Sequence, residues 1–354
     1  MMTLRQFAAG LKSVPAATTW YLADLGEARG KQELFTRQAL QKLKVLREHA
    51  TIESAVSSNR IEGVEIDQKR IGTVIFGKAP LRDRSEEELR GYRDALKLIH
   101  ERGAKLPVSV ETIVRLHRLS RGEIWDAGKF KDKNGDIIEK QPDGRVRVRF
   151  KTVPAAKTPA TVQELVNRWK ESQRERAVHP LLALAAFNLD FLCIHPFRDG
   201  NGRVSRLLLL LQCHHLGYEV GRYVSLERLI EENKERYYET LEQSSHQWHE
   251  GRHDPWPYIN FVLYTLKTAY KEFEARVGRM ASPRGAKTEM VWAAIRKQTN
   301  EFRLTDIERA CPGVSREWIR TLLSELKSEG EVTCNGKGPA ARWRYRGSKG
   351  STAR

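Results

Sequence analysis

Cysteine is scarce in this chain. Four residues (Cys193, Cys213, Cys311 and Cys334) are too few and too scattered for a disulfide framework, so a reducing, cytoplasmic setting is expected. Long apolar runs are missing. The stretch Leu207–Leu211 is far too short to span a bilayer, so no membrane association is expected. The first twenty residues have no sustained apolar core and no cleavage site, which argues against a secretory signal. There is no repeat of fixed period and no low-complexity tract. The Walker spacing GxxxxGK followed by Ser or Thr does not occur, nor does a Rossmann fingerprint. Acidic residues are outnumbered: 62 Lys plus Arg face 45 Asp plus Glu, leaving +17 over 354 residues. That length allows two or three domains. The surplus points to an anionic partner: nucleic acid, nucleotide phosphate or an acidic protein face.

Most of the chain reads as helix. Apolar residues recur at helical spacing from about Gln32 to Glu62, with Gly63 as a stop, and residues 1–30 read as irregular or loosely helical. Helices are predicted over 86–102, 110–119, 161–174, 180–193, 203–215, 225–246 and 257–277. Between residues 128 and 153 the character changes. Asn134-Gly135 and Asp143-Gly144 are turn signals, and VRVRF at 146–150 alternates as a strand does, so an exposed hairpin is expected.

One stretch carries chemistry, His195-Pro196-Phe197-Arg198-Asp199-Gly200-Asn201-Gly202-Arg203-Val204-Ser205-Arg206. It is a glycine-bearing loop that opens a helix, where free N–H groups and the positive dipole end favour an anion. Arg203 and Arg206 lie three apart, so two cations oppose that dipole unless an anion sits there. Asp199 supplies one carboxylate, the usual way Mg²⁺ is held beside substrate phosphates. His195 is the group that takes a proton near neutral pH. Glu62, just before a glycine stop, faces the negative end of its helix dipole, a conflict that a cationic partner would resolve. The spacing of His246, His249 and His253 resembles metal ligands, but no carboxylate or cysteine pattern completes a site. Cys193, Cys213, His214 and His215 read as core residues.

The loop resembles, letter for letter, the HPFxxGNGRxxR signature of the Fic (filamentation-induced-by-cAMP) proteins. The resemblance covers roughly residues 30–278. It implies a mainly α fold: a helical core with a β-hairpin flap at about 131–152. It implies AMP transfer from ATP to a Ser, Thr or Tyr hydroxyl of a target protein held on the flap. His195 would act as base and Asp199 would hold Mg²⁺. Gly200, Asn201 and Gly202 would form an anion cradle, Arg203 and Arg206 would neutralise the outer phosphates, and Phe197 would aim the loop from the core. Ser58-Asn59-Arg60-Ile61-Glu62-Gly63 resembles the inhibitory motif S/T-x-x-x-E-G/N of self-inhibited members. Glu62 would then pair with Arg206 in the space of the ATP γ-phosphate, with Ser58 beside it and Gly63 closing the motif. Gly202 argues against the phosphorylating branch of the family, which carries Lys at one motif glycine. A homodimer is expected from the habit of the family. Alternatives are a nucleotide-sensing transcriptional regulator, and a Fic enzyme that removes AMP or transfers another group.

The C-terminal part is different. From Arg279 onward there are 16 Lys plus Arg and 8 Asp plus Glu, a net of +8. Helix, short helix, turn at 311–313, helix over 315–329 and two short strands is the order of a winged helix-turn-helix, with Ser315 as an N-cap. In such a domain Arg316 and Arg320 lie near the leading end of a groove-reading helix, and Lys337, Arg342 and Arg344 lie on the wing. Such a domain serves DNA binding, or protein docking and dimerisation. The expected organisation is an N-terminal helical region (1–66), a catalytic core (67–278), a linker (279–287), a winged helix (288–346) and a disordered tail (347–354).

Overall fold

In the computed structural model the described residues are 2–38, 40–64, 67–77, 80–122, 124–140, 145–279, 285–298, 300–311, 314–336, 338 and 341–346. The chain divides into two units, Met1–Phe273 and Glu274–Arg354. The helices are α1 (Thr3–Ala8), α2 (Ala16–Gln38), α3 (Leu40–Ile61), α4 (Gln68–Phe76), α5 (Arg84–Arg102) and α6 (Val110–Arg121). An antiparallel hairpin, β1 (Ile137–Lys140) and β2 (Val146–Phe150), follows. Then come α7 (Thr158–Glu175), α8 (Pro180–Ile194), α9 (Asn201–His215), α10 (Leu226–Glu232), α11 (Lys234–Ser245) and α12 (Trp256–Arg279). No helix among the described residues is long and apolar enough to cross a membrane.

The centre of the first unit is α8. Its residues Leu181–Ile194 are all buried, because its sequence is apolar on every side. Pro180 sits at its first turn and the His179 ring accepts from Leu181 N–H. α1, α7, α9 and α11 pack around it. Its one buried carboxylate, Asp190, accepts from Thr3 N–H (2.7 Å), Thr3 Oγ1 (2.8 Å), Leu4 N–H (3.0 Å) and Trp248 Nε1 (2.7 Å). A carboxylate at the first turn of α1 suits both the free N–H groups and the dipole.

Several sequence expectations are corrected. Of the two readings of residues 1–30, irregular or loosely helical, the helical one holds, since α1 and most of α2 lie there. α2 escapes pattern reading because its buried seam is Thr18, Leu25 and Gln32, two of them polar. Thr18 donates to Asn260, and Gln32 bonds Gly217 O, Glu219 N–H and Tyr270 OH. The expected helix over 32–62 falls within α2 and α3, with residue 39 outside the described residues. The expected helix over 225–246 is also two, parted at Asn233, whose side chain donates to Leu229 O. α4 has no counterpart in the sequence reading. Of the expected linker 279–287, residues 280–284 lie outside the described residues and α13 covers the last three.

The Asp143-Gly144 turn lies outside the described residues, as do Pro312-Gly313, Lys337 and the tail 347–354. Asn134-Gly135 precedes β1 and ties the hairpin base: Asn134 Oδ1 accepts from Ala155 N–H and Gly135 O from Thr152 Oγ1. Arg147 and Arg149 of β2 pair with Glu242 on α11. Ile138, Val146 and Val148 are left exposed.

The second unit contains α13 (Gly285–Arg296), α14 (Leu304–Ala310), α15 (Arg316–Ser328) and the antiparallel pair β3 (Val332–Asn335) and β4 (Arg342–Tyr345). Ser315 Oγ caps α15 at Trp318 N–H. Phe302 exchanges two backbone bonds with Trp343, both 2.8 Å. Ile295, Phe302, Ile307, Ile319, Leu323 and Val332 form the core.

Candidate active site

The His195–Arg206 loop joins α8 to α9. α8 ends at His195 itself, in the left-handed region (φ 52°, ψ 62°), and α9 is entered through Gly200 at φ 81°. A Cβ at Gly200 would also press on Arg121 at 3.0 Å. The loop is tied internally by Asn201, whose Oδ1 accepts from Phe197 N–H (2.9 Å) and whose Nδ2 donates to Phe197 O (2.8 Å). The Asn201 side chain is thereby committed to the loop. Only its backbone N–H, with those of Gly202 and Arg203, is left to open the helix toward an anion.

Phe197 is buried and stacks flat on His117, centroids 3.7 Å apart. His117 Nδ1 accepts from Gly128 N–H (2.8 Å), so Nε2 carries the proton and donates to Asp199 O (3.0 Å). Burial holds His117 neutral, lowered to about 4. Lys131, at the hairpin base, donates to Ile194 O (3.2 Å) and Thr152 Oγ1 (2.8 Å), while its N–H reaches Pro196 O (2.9 Å). The loop and the hairpin base are thus one bonded assembly.

The His195 ring is half-buried. Burial, and then the charge of Lys131, lower it to about 4, with Glu62 and Asp199 pulling the other way. It is therefore neutral, the base form, at pH 7.

α3 delivers the second half of the site. Its end is a Schellman motif: Val64 N–H bonds Asn59 O and Gly63 N–H bonds Arg60 O, both 3.0 Å, with Gly63 at φ 78°. Glu62 is the last residue of that turn, and its side chain reaches Arg206 Nη2 at 2.8 Å. Arg206 also donates to Ser58 Oγ (2.9 Å) and Ser58 O (3.0 Å). The cation expected from the helix-end conflict of Glu62 is therefore Arg206. The carboxylate lies over Gly202: a Cβ there would sit 2.2 Å from Glu62 Oε1 and 3.1 Å from Arg206 Nη1. Arg206 Nη1 has no partner among the described residues.

Arg203 turns elsewhere. It is fully buried and donates to Glu88 (2.6 Å) and Asn59 (3.2 Å). The buried Glu88 carboxylate also accepts from Arg121 (2.5 Å) and Arg84 (3.1 Å). Arg121 and Arg84 go on to Asp199 Oδ2 at 2.8 and 3.2 Å. Burial would raise the Asp199 carboxyl, but Arg121, Arg203 and Arg84 outweigh it and hold it below its ordinary range. A cavity of about 300 Å³ opens beside these groups, with Glu62, Glu88, Asp199, Arg203 and Arg84 in its walls.

Glu88, Arg121, Arg84, His117 and Lys131 were not visible from sequence. Glu88 sits in the charged run RDRSEEELR, where a solvated side chain is the default, and only packing buries it. Glu88→Gln is expected to lower stability by about 3 kcal/mol or more, since it removes the carboxylate charge facing the buried Arg203 and leaves Arg121 to Asp199 alone among its close partners. A urea midpoint with unchanged slope checks this. A loss below about 0.5 kcal/mol would mean that solvent already answers those charges.

The arrangement suits a divalent ion that arrives with phosphates. Asp199 is the one half-exposed carboxylate between the two arginine-bearing helix starts, and no set of three ligands exists among the described residues. The histidines 246, 249 and 253 make no metal set. His253 bonds Thr3 Oγ1 and Gln6, and His249 bonds Lys151 O. All four cysteines are free. Arg316 and Arg320 are exposed on α15, and Arg342 and Arg344 on β4. Arg316 pairs with Glu308, and Arg344 with Glu301.

Parts of this chain are similar to known proteins. Residues 107–213 match the model of the Fic/DOC family. A Fic family protein from Desulfovibrio desulfuricans has the same fold, with a TM-score of 0.62 at 22% identity, over 96% of this chain and 98% of that one. Fic-1 from C. elegans superposes with a TM-score of 0.59 at 18% identity, over 74% of each chain. Among curated proteins, "Protein adenylyltransferase Fic" of Nematostella vectensis is 24% identical over 214 residues, 58% of this chain and 44% of that protein. Its counterpart in Drosophila persimilis is 29% identical over 134 residues, 37% of this chain and 24% of that protein. The chain thus spans less than half the length of these curated relatives. The family match thus falls on residues 107–213, which carry the loop and resemble a Fic/DOC family domain.

Proposed function

We propose that this protein is a protein adenylyltransferase that moves AMP from ATP to a Ser, Thr or Tyr hydroxyl of a target protein, and that Glu62 restrains it. One observation carries the reading. At the start of α9 a carboxylate, Glu62, rests on Gly202 against Arg206, where a free anion would rest if α3 withdrew. The site is built for a phosphate and is held by an internal substitute. The names of the curated relatives support the same chemistry.

In this reading His195 takes the hydroxyl proton as the oxygen attacks the α-phosphate. The bond from the α-phosphorus to its bridging oxygen then breaks, and pyrophosphate leaves. The N–H groups of Gly202 and Arg203 and the Arg206 guanidinium hold the phosphate oxygens once Glu62 moves aside. Gly200 and Asn201 shape the turn, and Phe197 fixes it against His117. Ser58 keeps Arg206 oriented. Arg203 acts from behind, through Glu88, as a positioning group. Asp199 would hold Mg²⁺, which when bound neutralises phosphate charge. The hairpin at about 131–152 presents main chain to the target segment.

Incubation with α-labelled ATP, Mg²⁺ and cell lysate, followed by mass spectrometry for an added adenylate, tests the reading. Labelled UTP and GTP serve as donor controls. Nucleotide binding without any transfer, even with Glu62 removed, would favour a sensor. Loss of AMP from a modified target would favour the reverse reaction.

The second unit is assigned to duplex DNA as a winged helix. The exposed Arg316, Arg320, Arg342 and Arg344 on a basic unit with its own core favour this, and Lys337, outside the described residues, would join them. If these five cations each neutralise a phosphate, affinity falls about 10²–10³-fold between 50 and 200 mM salt. Absence of binding at low salt would make the unit a protein-docking module instead.

A further inference from the structure

The cavity beside Glu62 has one cation in its wall to which the reading above gives no role, Arg84 at the start of α5. Arg84 differs from the other cations of the site in freedom. Arg121 and Arg203 are almost fully buried, and their charges are answered by Glu88 at 2.5 and 2.6 Å. Arg206 is equally buried and bound to Ser58 and Glu62. The Arg84 side chain is 57% exposed and touches Glu88 and Asp199 from the solvent side, at 3.1 and 3.2 Å. If it swings away, Glu88 keeps two guanidiniums and Asp199 keeps Arg121. No buried carboxylate is orphaned, so the movement costs little.

A nucleotide tail brings several negative charges to this place. Arg203 and Arg121 are held in place by the Glu88 they share, so among the described residues the cations of this site that can turn to that tail are Arg206, once Glu62 has moved, and Arg84. We infer that Arg84 is a ligand of the departing pyrophosphate, an assignment that rests on the adenylyl-transfer reading. As the target oxygen bonds to the α-phosphorus and its proton passes to His195, the bond to the bridging oxygen breaks with its electron pair. Negative charge then builds on the pyrophosphate, where the Arg84 N–H groups donate. That interaction is stronger in the transition state than in the ground state, as catalysis requires. Arg84 therefore acts at the leaving group, opposite His195 at the nucleophile.

Calorimetry with Mg²⁺-pyrophosphate and with AMP on the full chain decides the matter. The variants are Glu62→Gly, Glu62→Gly with Arg84→Ala, and Glu62→Gly with Arg84→Gln, the last keeping the stem over the helix start in case alanine unsettles the fold. Loss of Arg84 is expected to weaken pyrophosphate about tenfold or more while changing AMP affinity less than about twofold. Unchanged pyrophosphate affinity in either double variant overturns the assignment and leaves adenylyl transfer standing. A Glu62→Gly parent that takes up neither probe overturns both.

Discussion

Glu62→Gly is expected to raise AMP transfer, including transfer to the protein itself, roughly tenfold or more, since each 1.4 kcal/mol of lifted restraint is one decade of rate. The carboxylate lies against Arg206 at 2.8 Å and over the bare face of Gly202. An incoming phosphate must take that place and that guanidinium, so it competes with an intramolecular anion at high effective concentration. Glycine removes the competitor. It does not undo the turn, because the Schellman bonds are made by backbone groups of Asn59, Arg60, Gly63 and Val64. Glu62→Gln separates charge from bulk: it keeps the volume, loses the ion pair, and should fall between wild type and Glu62→Gly. The measurement is incorporation of α-label from ATP at matched protein and Mg²⁺. Equal rates for wild type and the glycine variant would end the idea of a built-in restraint.

His195→Ala is expected to lower transfer by about 10²–10⁴-fold while leaving nucleotide affinity nearly unchanged. His195 is the base candidate of the loop and is already neutral. With burial and Lys131 lowering it to about 4, no proton has to be shed at pH 7. The sign follows: activity is present above the folded value and is lost as pH falls through it, so the acid limb lies well below neutrality. Alanine also strains a left-handed residue, so a fall in rate alone would be ambiguous. His195→Asn is the control, because asparagine tolerates φ 52° and cannot act as a base. Transfer retained in either variant would remove His195 from the chemistry. Loss of ATP binding together with transfer would make it a structural cap of α8.

Features local in the chain were legible before any coordinates. The loop His195–Arg206 is contiguous, so its glycines, its helix start and the two arginines of that helix, Arg203 and Arg206, could be read from twelve letters. The hairpin showed itself through the alternation of VRVRF, and the N-cap of α15 through Ser315. The pairing of Glu62 with Arg206 was expected only through the family resemblance, since 144 residues separate them.

What escaped reading has a common cause. The bounds of α2 escaped reading because its seam is closed by Thr18 and Gln32, whose bonds go to Asn260, Gly217 and Tyr270. Glu88 was missed because burial of a charged residue depends on which guanidiniums happen to surround it, and these come from three helices. The two motif arginines looked alike, being three residues apart on one helix. Packing separates them: Arg203 is spent on Glu88 and Arg206 on Glu62. Periodicity and caps are properties of neighbouring residues, so they survive in one dimension. The partner of a buried charge is chosen by distant segments that meet only when the chain is folded, and there low dielectric makes each choice decisive.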